Sequence, residues 1–242
     1  MDELAGKTAL VTGAAGGIGA AIVAALRAED VRVAGADLGP SGSDHDLIAD
    51  LSESAAADAL PEQAARALGR LDIVVNNAGV IPRGIVTETT DDDYARTMSI
   101  NVEAPFRICR AAIPILARGG GGAIVNVSSC WGVHPGPGHP LYVMSKAALA
   151  SLTQCLGIDH AHQNIRVNAV CPNEVNTPMI RSGFTARGFD PETAIADLHR
   201  SVPLGRIAEP EDIADLVVFL ASDRARYLCG ALIEANGGKA VG

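Results

Sequence analysis

The feature that most limits the fold is a glycine-rich turn held between an apolar strand and an apolar helix near the start of the chain. Residues 7–12 read Lys-Thr-Ala-Leu-Val-Thr, a short run suited to a buried strand. Gly13-Ala14-Ala15-Gly16-Gly17-Ile18-Gly19 follows, and then an Ala/Ile/Val/Leu helix to about residue 28. Glycines at such a turn let the backbone approach a pyrophosphate, and the helix N-terminus favours its negative charge. The same glycines also make a tight turn with no ligand, so the rest of the chain has to decide.

The second strand, residues 31–36, ends at Asp37. An acid roughly twenty residues past the glycines can accept hydrogen bonds from the adenosine ribose hydroxyls and repel a 2′-phosphate. No Arg or Lys stands in the turn or directly after Asp37, at Leu38, which predicts NAD in preference to NADP. A turn-like stretch, 39–44, leads to a short third strand, 45–50. Only about a dozen residues lie between Asp37 and Asp50, too few for a crossover helix with its loops, so that helix is predicted lost or cut to one turn.

A helix at 52–68 and a strand at 72–76 come next, followed by Asn77-Ala78-Gly79. Small residues there leave room for a flat ring, and Asn76 and Asn77 suit tying neighbouring strands at least as well as touching a ligand. A helix at 91–98 and a longer one to 116 are interrupted near Asn101. A buried Asn in an apolar helix needs partners; it either fixes a kink or holds a water near Lys146. The four glycines 119–122 precede a strand, not a helix, so they read as a flexible turn. Strands at 123–128, 165–171 and 231–234 and helices at 142–156 and 210–221 complete the alternation. The fold class is α/β: one Rossmann-like, doubly wound parallel sheet of about seven strands with helices on both faces, a single domain over 1–242.

Ser129 to Lys146 carries the chemistry. A loop rich in Gly and Pro separates Ser129, at the end of a strand, from Tyr142 and Lys146, which share a helix face at i, i+4. An ammonium beside the phenol predicts a tyrosine pKa below the usual ~10 and proton exchange with an alcohol or ketone. Ser129 can hold the same oxygen. A bare Tyr-x-x-x-Lys is common and often only packs; its weight here comes from the serine pair upstream and the glycine turn. Residues 172–203 have the irregular composition of a substrate flap. The pocket is predicted to be lined by Trp131, His134 and His139 from the loop and by Met179 and Phe184 from the flap. Glu174 either turns to solvent or to Arg181, or faces the cleft to meet substrate hydroxyls or an amine.

A formal charge of −9 argues against a nucleic-acid surface. No apolar stretch free of charges or Gly/Pro breaks reaches the ~18 residues of a membrane span. The acidic start Met1-Asp2-Glu3-Leu4 is not that of a signal peptide. Cys109, Cys130, Cys155, Cys171 and Cys229 form no Cys-x-x-Cys pair and no metal-ligand spacing with His, which points to reduced thiols, a cytoplasmic location and no metal.

These motifs together resemble the short-chain dehydrogenase/reductase family, over essentially the whole chain. The residues carrying the resemblance are Thr12 to Gly19, Asn76 to Gly79, and the set Asn101, Ser129, Tyr142 and Lys146. The resemblance implies Tyr142 as general acid/base, Ser129 positioning the substrate oxygen, and Lys146 lowering the tyrosine pKa and binding the nicotinamide ribose. Asn101 would hold a water in a proton relay. Cofactor contacts are implied at Gly13, Ala15, Gly17, Ile18, Gly19, Asp37, Leu38, Asp50, Leu51, Asn77, Ala78 and Gly79, and at Pro172, Val175 and Thr177. Substrate contacts are expected at Ser129, Trp131, His134, Tyr142 and Glu174. Family members are commonly tetramers, joined through helices that begin here near Val102 and Tyr142. Two departures stand out. Pro172-Asn173 replaces the usual Pro-Gly, Asn being the non-glycine residue best suited to a left-handed turn. Glu234-Ala235-Asn236-Gly237-Gly238 replaces the usual Asp-Gly-Gly ending. The leading expectation is an NAD-dependent dehydrogenase or ketone reductase for a small polar secondary alcohol, polyol, sugar or cyclic diol. The rivals are a 3-oxoacyl-carrier-protein reductase and a non-catalytic dinucleotide-binding regulator.

Overall fold

The computed structural model describes residues 3–239, so Met1 and Asp2 of the acidic start lie outside it. Seven parallel strands form one sheet: β1 (Thr8–Thr12), β2 (Arg32–Asp37), β3 (His45–Ile48), β4 (Ile73–Asn76), β5 (Gly122–Val127), β6 (Ile165–Pro172) and β7 (Leu232–Ala235). Their order is β3-β2-β1-β4-β5-β6-β7. The winding direction reverses between β1 and β4, and open parallel sheets bind ligands at the carboxyl ends beside such a reversal.

Helices α1 (Gly17–Ala28) and α2 (Ser54–Leu68) cover opposite faces. The sheet's period of two divides its apolar residues between them. Val11, Val75, Val125 and Val170 pack with Ile22 and Leu26 of α1. Leu10, Val74, Ile124 and Val167 pack with Leu60 and Leu68 of α2. β1 and β4 are buried along their whole length, which is why they read as unbroken apolar runs.

The crossover from β2 to β3 has no helix, as its length predicts. Side chains take over the local hydrogen bonding: the Gly35 N–H donates to Ser43 Oγ at 3.0 Å and the Val33 N–H to Asp44 Oδ2 at 2.9 Å. β3 ends at Ile48, short of the predicted 50. Asp50 instead folds onto the next turn, accepting from the Ser52 N–H at 2.9 Å and hydroxyl at 2.7 Å.

Helix α3 (Asp91–Met98), capped by Thr90, runs through a π-helical turn, Ser99–Glu103, into α4 (Ala104–Arg118). The Ala104 N–H reaches back to the Ser99 carbonyl, one residue further than in an α-helix. That wide turn is the interruption expected at Asn101.

Two stretches read as irregular contain helices. The site loop holds a single turn, α5 (Cys130–Val133), before α6 (Pro140–His160). Residues 172–203 hold α7 (Pro178–Thr185) and α8 (Pro191–Ser201). Pro140, Pro178 and Pro191 open the first turns of α6, α7 and α8, where no N–H is needed. The chain then forms α9 (Pro210–Ala221), which packs beside α1.

Residues Pro140–Gln163 are long and apolar enough to cross a membrane, with mean hydropathy 1.2, contrary to the expectation that no stretch would be. Charge is sparse there, and Lys146 itself is buried. The helix lies on the sheet: Leu149, Ala150 and Thr153 are buried, and Asn126 of β5 donates to Thr153 Oγ1 at 2.8 Å.

Candidate active site

The glycine turn closes the carboxyl end of β1. Gly13 has φ +66°, and a Cβ there would lie 2.9 Å from Ala78 Cα. A Cβ on Gly19 would lie 1.9 Å from the Gly13 carbonyl oxygen, so only glycine lets α1 approach the turn. Asn77 Nδ2 ties the far side down by donating to Thr12 O at 3.0 Å and Gly13 O at 3.1 Å. Asn76 Nδ2 donates to Asn126 Oδ1 at 2.8 Å. Both asparagines therefore tie strands together, and Asn77 also faces the cleft.

A cleft of about 860 Å³ runs along the carboxyl ends of the strands. Asp37, Leu38, Asp50 and Leu51 line it on the β2 and β3 side; Gly13, Gly17 and Ile18 line it at the turn. Asn77, Ala78 and Gly79 follow, and then Ser129, Tyr142, Lys146, Pro172, Val175 and Thr177. Trp131, His139, Met179, Phe184 and Glu174 complete the β5 and β6 side. The Asp37 carboxylate is set by two backbone donors, Ala15 N–H at 2.9 Å and Leu38 N–H at 2.7 Å.

Four predicted residues do not line the cleft. The N–H of Ala15 is turned to Asp37, and Gly19 packs against the turn. Asn101 sits behind the wall, with Nδ2 donating to Val80 O at 2.8 Å and Ser145 Oγ at 3.0 Å, and Oδ1 accepting from the Val80 N–H at 2.8 Å. His134 corrects the sequence reading most plainly. The α5 turn carries it out of the pocket, and its Nε2 lies 3.1 Å from Glu234 Oε1.

Ser129 caps α5, its Oγ accepting from the Trp131 N–H at 3.1 Å. Lys146 is 4% exposed and donates to Val127 O at 2.8 Å. Its ammonium lies 5.9 Å from the centre of the Tyr142 ring. Burial pushes the Lys146 pKa down to about 8. The same burial raises Tyr142 above its ordinary value, with Ser129 pulling the other way. Tyr142 thus lies above its ordinary value rather than below it, because desolvation of the phenolate outweighs the Ser129 hydrogen bond.

Glu174 lines the cleft but is not free. Its Oε1 accepts from Lys239 Nζ at 2.6 Å, and Lys239 also donates to Ser201 Oγ at 3.0 Å. Arg181, its expected partner, holds Asn176 and Glu192 instead. Glu174 Oε2 is buried with no protein partner. Among the described residues the non-glycine left-handed positions are Asp30 and Asn164, so Asn173 does not take the left-handed conformation. Cys130 donates to Cys171 O at 3.0 Å and burial pushes it up to about 12, so it is an inert filler.

Arg83 and Arg96 line the cleft and went unrecognised in the sequence. Arg83 had a usable signal: it lies just past Asn-Asn-Ala-Gly, in a loop at a strand's carboxyl end, where such sheets place function.

A parallel sheet with this reversal, a glycine turn beside it, and a Ser, Tyr and Lys gathered in one cleft define a dinucleotide-dependent oxidoreductase. The chain belongs to the short-chain dehydrogenase/reductase family, whose members use NAD(H) or NADP(H). A family model described as enoyl-(acyl carrier protein) reductase matches residues 13–240. The oxidoreductase UcpA of Escherichia coli K12 is 34% identical, over 100% of this chain and 97% of its own. The 3-oxoacyl-[acyl-carrier-protein] reductase FabG of Thermotoga maritima is 31% identical, over 99% and 100%. The ligand-free aldohexose dehydrogenase AldT of Thermoplasma acidophilum has TM-score 0.92 and 29% identity, over 98% and 95%. The residues present fit a dinucleotide: nothing lies within 4 Å of where a Gly16 Cβ would stand, so the turn is open to a phosphate, and the Asp37 carboxylate is held at the cleft wall.

Proposed function

We propose that this chain is an NAD-dependent oxidoreductase interconverting a secondary alcohol and a ketone, on a small polar alcohol, polyol, sugar or cyclic diol. The observation that carries this reading is the single cleft shared by Asp37 and the glycine turn on one side and Ser129, Tyr142 and Lys146 on the other. Gly13, Gly17 and Ile18 would hold the pyrophosphate, Asp37 and Leu38 the adenosine ribose, and Asp50 and Leu51 the adenine. Ala78, Gly79, Val175 and Thr177 would meet the nicotinamide, which when bound supplies the hydride acceptor or donor. Tyr142 takes the hydroxyl proton in oxidation and returns one in reduction. Ser129 Oγ donates to the same substrate oxygen, and the Lys146 ammonium favours the phenolate and meets the nicotinamide ribose. Asn101 clamps Val80 and Ser145 behind them, so its part is positional.

The relatives' printed activities differ, and none transfers a substrate to this chain. The carrier-protein reductase reading is opposed by Asp37 and by a charge of −9, unsuited to an acidic carrier. A silent regulator has no need of all three of Ser129, Tyr142 and Lys146. We extend the proposal to a homotetramer: an apolar groove of about 570 Å³ between the π turn, α4 and α6, lined by Met98, Val102, Phe106 and Leu152, lies on the helices expected to pair. All five cysteines are free, which suits the reducing cytoplasm.

The test is an oxidation screen with NAD and NADP across polyols, sugars, hydroxy acids, steroids and cyclic alcohols, repeated with Tyr142→Phe. Turnover should need NAD and fall by about 10²-fold or more in the variant, with NADH binding retained. Wild-type turnover in the variant removes Tyr142 from the mechanism. NADPH preference with activity on acyl-carrier substrates establishes the rival.

A further inference from the structure

Beyond Tyr142 the cleft ends in a cluster of positive charge that the proposed hydride chemistry does not use. Arg83, from the loop after β4, and Arg187, from the turn after α7, both line it. Neither has a carboxylate partner among the described residues, whereas Arg181 on the same flap pairs with Glu192. Arg83 is half-buried and lies against α7 so closely that a Cβ on Gly183 would fall inside its guanidinium. Arg187 is laid over the rings of Phe184 and Phe189, 4.8 and 5.6 Å from their centres, and its Nε donates to Gly183 O at 3.1 Å.

His139 joins them, its Nε2 3.4 Å from an Arg83 amino group and its Nδ1 3.2 Å from Pro137 O. The imidazole ring lies 4.8 Å from Trp131, whose ring in turn lies 6.4 Å from Tyr142. The two arginines act on each other and on the imidazole: Arg187 lowers the Arg83 pKa, and both lower that of His139, each after a larger effect of burial. His139 is therefore the neutral tautomer that donates from Nδ1 to Pro137 O and accepts from Arg83 at Nε2. Of the acids lining the cleft, Asp37 and Asp50 lie on the far side of the sheet order and Glu174 is held by Lys239. Like charges gathered in a partly desolvated pocket with no protein anion are unfavourable until an anion arrives.

We propose that Arg83 and Arg187 form an anion subsite, with His139 positioning Arg83, so that the substrate is an alcohol or ketone that also carries a carboxylate or sulfonate. The proposal rests on the oxidoreductase reading only for the alcohol; the subsite itself stands on the arginines. A planar guanidinium fork matches either oxyanion, and Arg187 stands on the flap that lines the same cleft. Trp131 lies between His139 and Tyr142, so the subsite adjoins the proposed reaction centre.

Trp131 is the only tryptophan in the chain, so its fluorescence reports the subsite without turnover. The probes are benzoate, benzenesulfonate and the uncharged benzamide, titrated into wild type, Arg83→Met and Arg187→Met at low and high salt. At least one anion should bind about tenfold or more tighter than benzamide, and each substitution should erase the difference. Comparing benzoate with benzenesulfonate tells which oxyanion the site takes. Arg187 is exposed, so its variant keeps the test alive if Arg83→Met does not fold, which far-UV circular dichroism would show. Equal binding of charged and uncharged probes, or an anion preference surviving in a folded variant, overturns the subsite. If neutral alcohols turn over as well as their carboxylated homologues, the subsite falls and the dehydrogenase stands. If anions bind selectively but no alcohol is oxidised, the subsite stands and the dehydrogenase falls.

Discussion

Lys146→Met should remove a stability penalty together with the chemistry. Lys146 is 4% exposed and its pKa is pushed from 10.5 down to about 8 by burial. At neutral pH a drop of that size corresponds to about 3 kcal/mol of native-state destabilisation. The unfolded chain keeps this proton up to pH 10.5, the folded chain only to about 8. Between those values the unfolded state binds more protons, so wild-type stability rises with pH. From about pH 7 to about pH 9 the relief is about 1 kcal/mol, and the rest comes as pH passes the unfolded value. Other groups act oppositely: Cys109 and Cys130 are pushed up to about 12 and Cys171 to about 11, so each thiol favours unfolding in alkali. Lys146 does not act on Cys109 or Cys130, which cancel in the difference. Cys171 is lowered by Lys146, so the comparison is made below about pH 9.5, short of its titration. The assay is urea unfolding followed by Trp131 fluorescence, in reductant and at fixed protein concentration, at two pH values on either side of 8. The gap between wild type and Lys146→Met should narrow or reverse in favour of wild type as pH rises. The variant also orphans the Val127 carbonyl, which offsets its gain by about 1 kcal/mol at every pH. A gap that does not change with pH would refute the reasoning, because the ammonium would then not be paying for its burial.

Asp37→Ser with Leu38→Arg should lower kcat/KM for NAD and raise it for NADP, shifting the ratio by about tenfold or more, since the ribose acceptor is lost and a phosphate partner gained. Unmodified protein that already prefers NADPH in steady-state kinetics would reject the assignment. His134→Ala should leave substrate KM within about twofold, because its half-exposed contact with Glu234 lies outside the cleft and such pairs contribute little. A large rise in KM would return His134 to the pocket.

The parts legible in the sequence were those set by local pattern. β1 and β4 are buried on both faces and so leave an uninterrupted apolar signature. Tyr142 and Lys146 share a helix face whatever that helix packs against. The missing helix before β3 followed from chain length alone. What stayed hidden depends on direction and on distant partners. His134 points away because Ser129 caps a helical turn inside a Gly/Pro loop, which the His134 N–H closes on Cys130 O. Glu174 is held by Lys239, 65 residues further on, which no spacing rule connects. Arg83 could have been placed at the cleft from its position after Asn-Asn-Ala-Gly, but its contact with Gly183 of the flap follows no spacing rule. The tyrosine pKa went astray because adjacency to a cation is readable from spacing, whereas the depth of burial that opposes it is not.

The wide turn at Ser99–Glu103 works as a phase shifter. One extra residue in a turn rotates everything after it by about 100° relative to a continuous α-helix. Asn101 lies inside that turn, between a helix whose visible burial is confined to Thr97 and one that buries Ile108, Ala112 and Leu116 in the core. A deletion of a single residue here would restore ordinary helical hydrogen bonding and look harmless on paper. It would also swing Asn101 away from Val80 and Ser145, or turn the apolar stripe of α4 off the sheet. The site's alignment is thus stored as an angle along one helix, and insertions or deletions read it where substitutions do not.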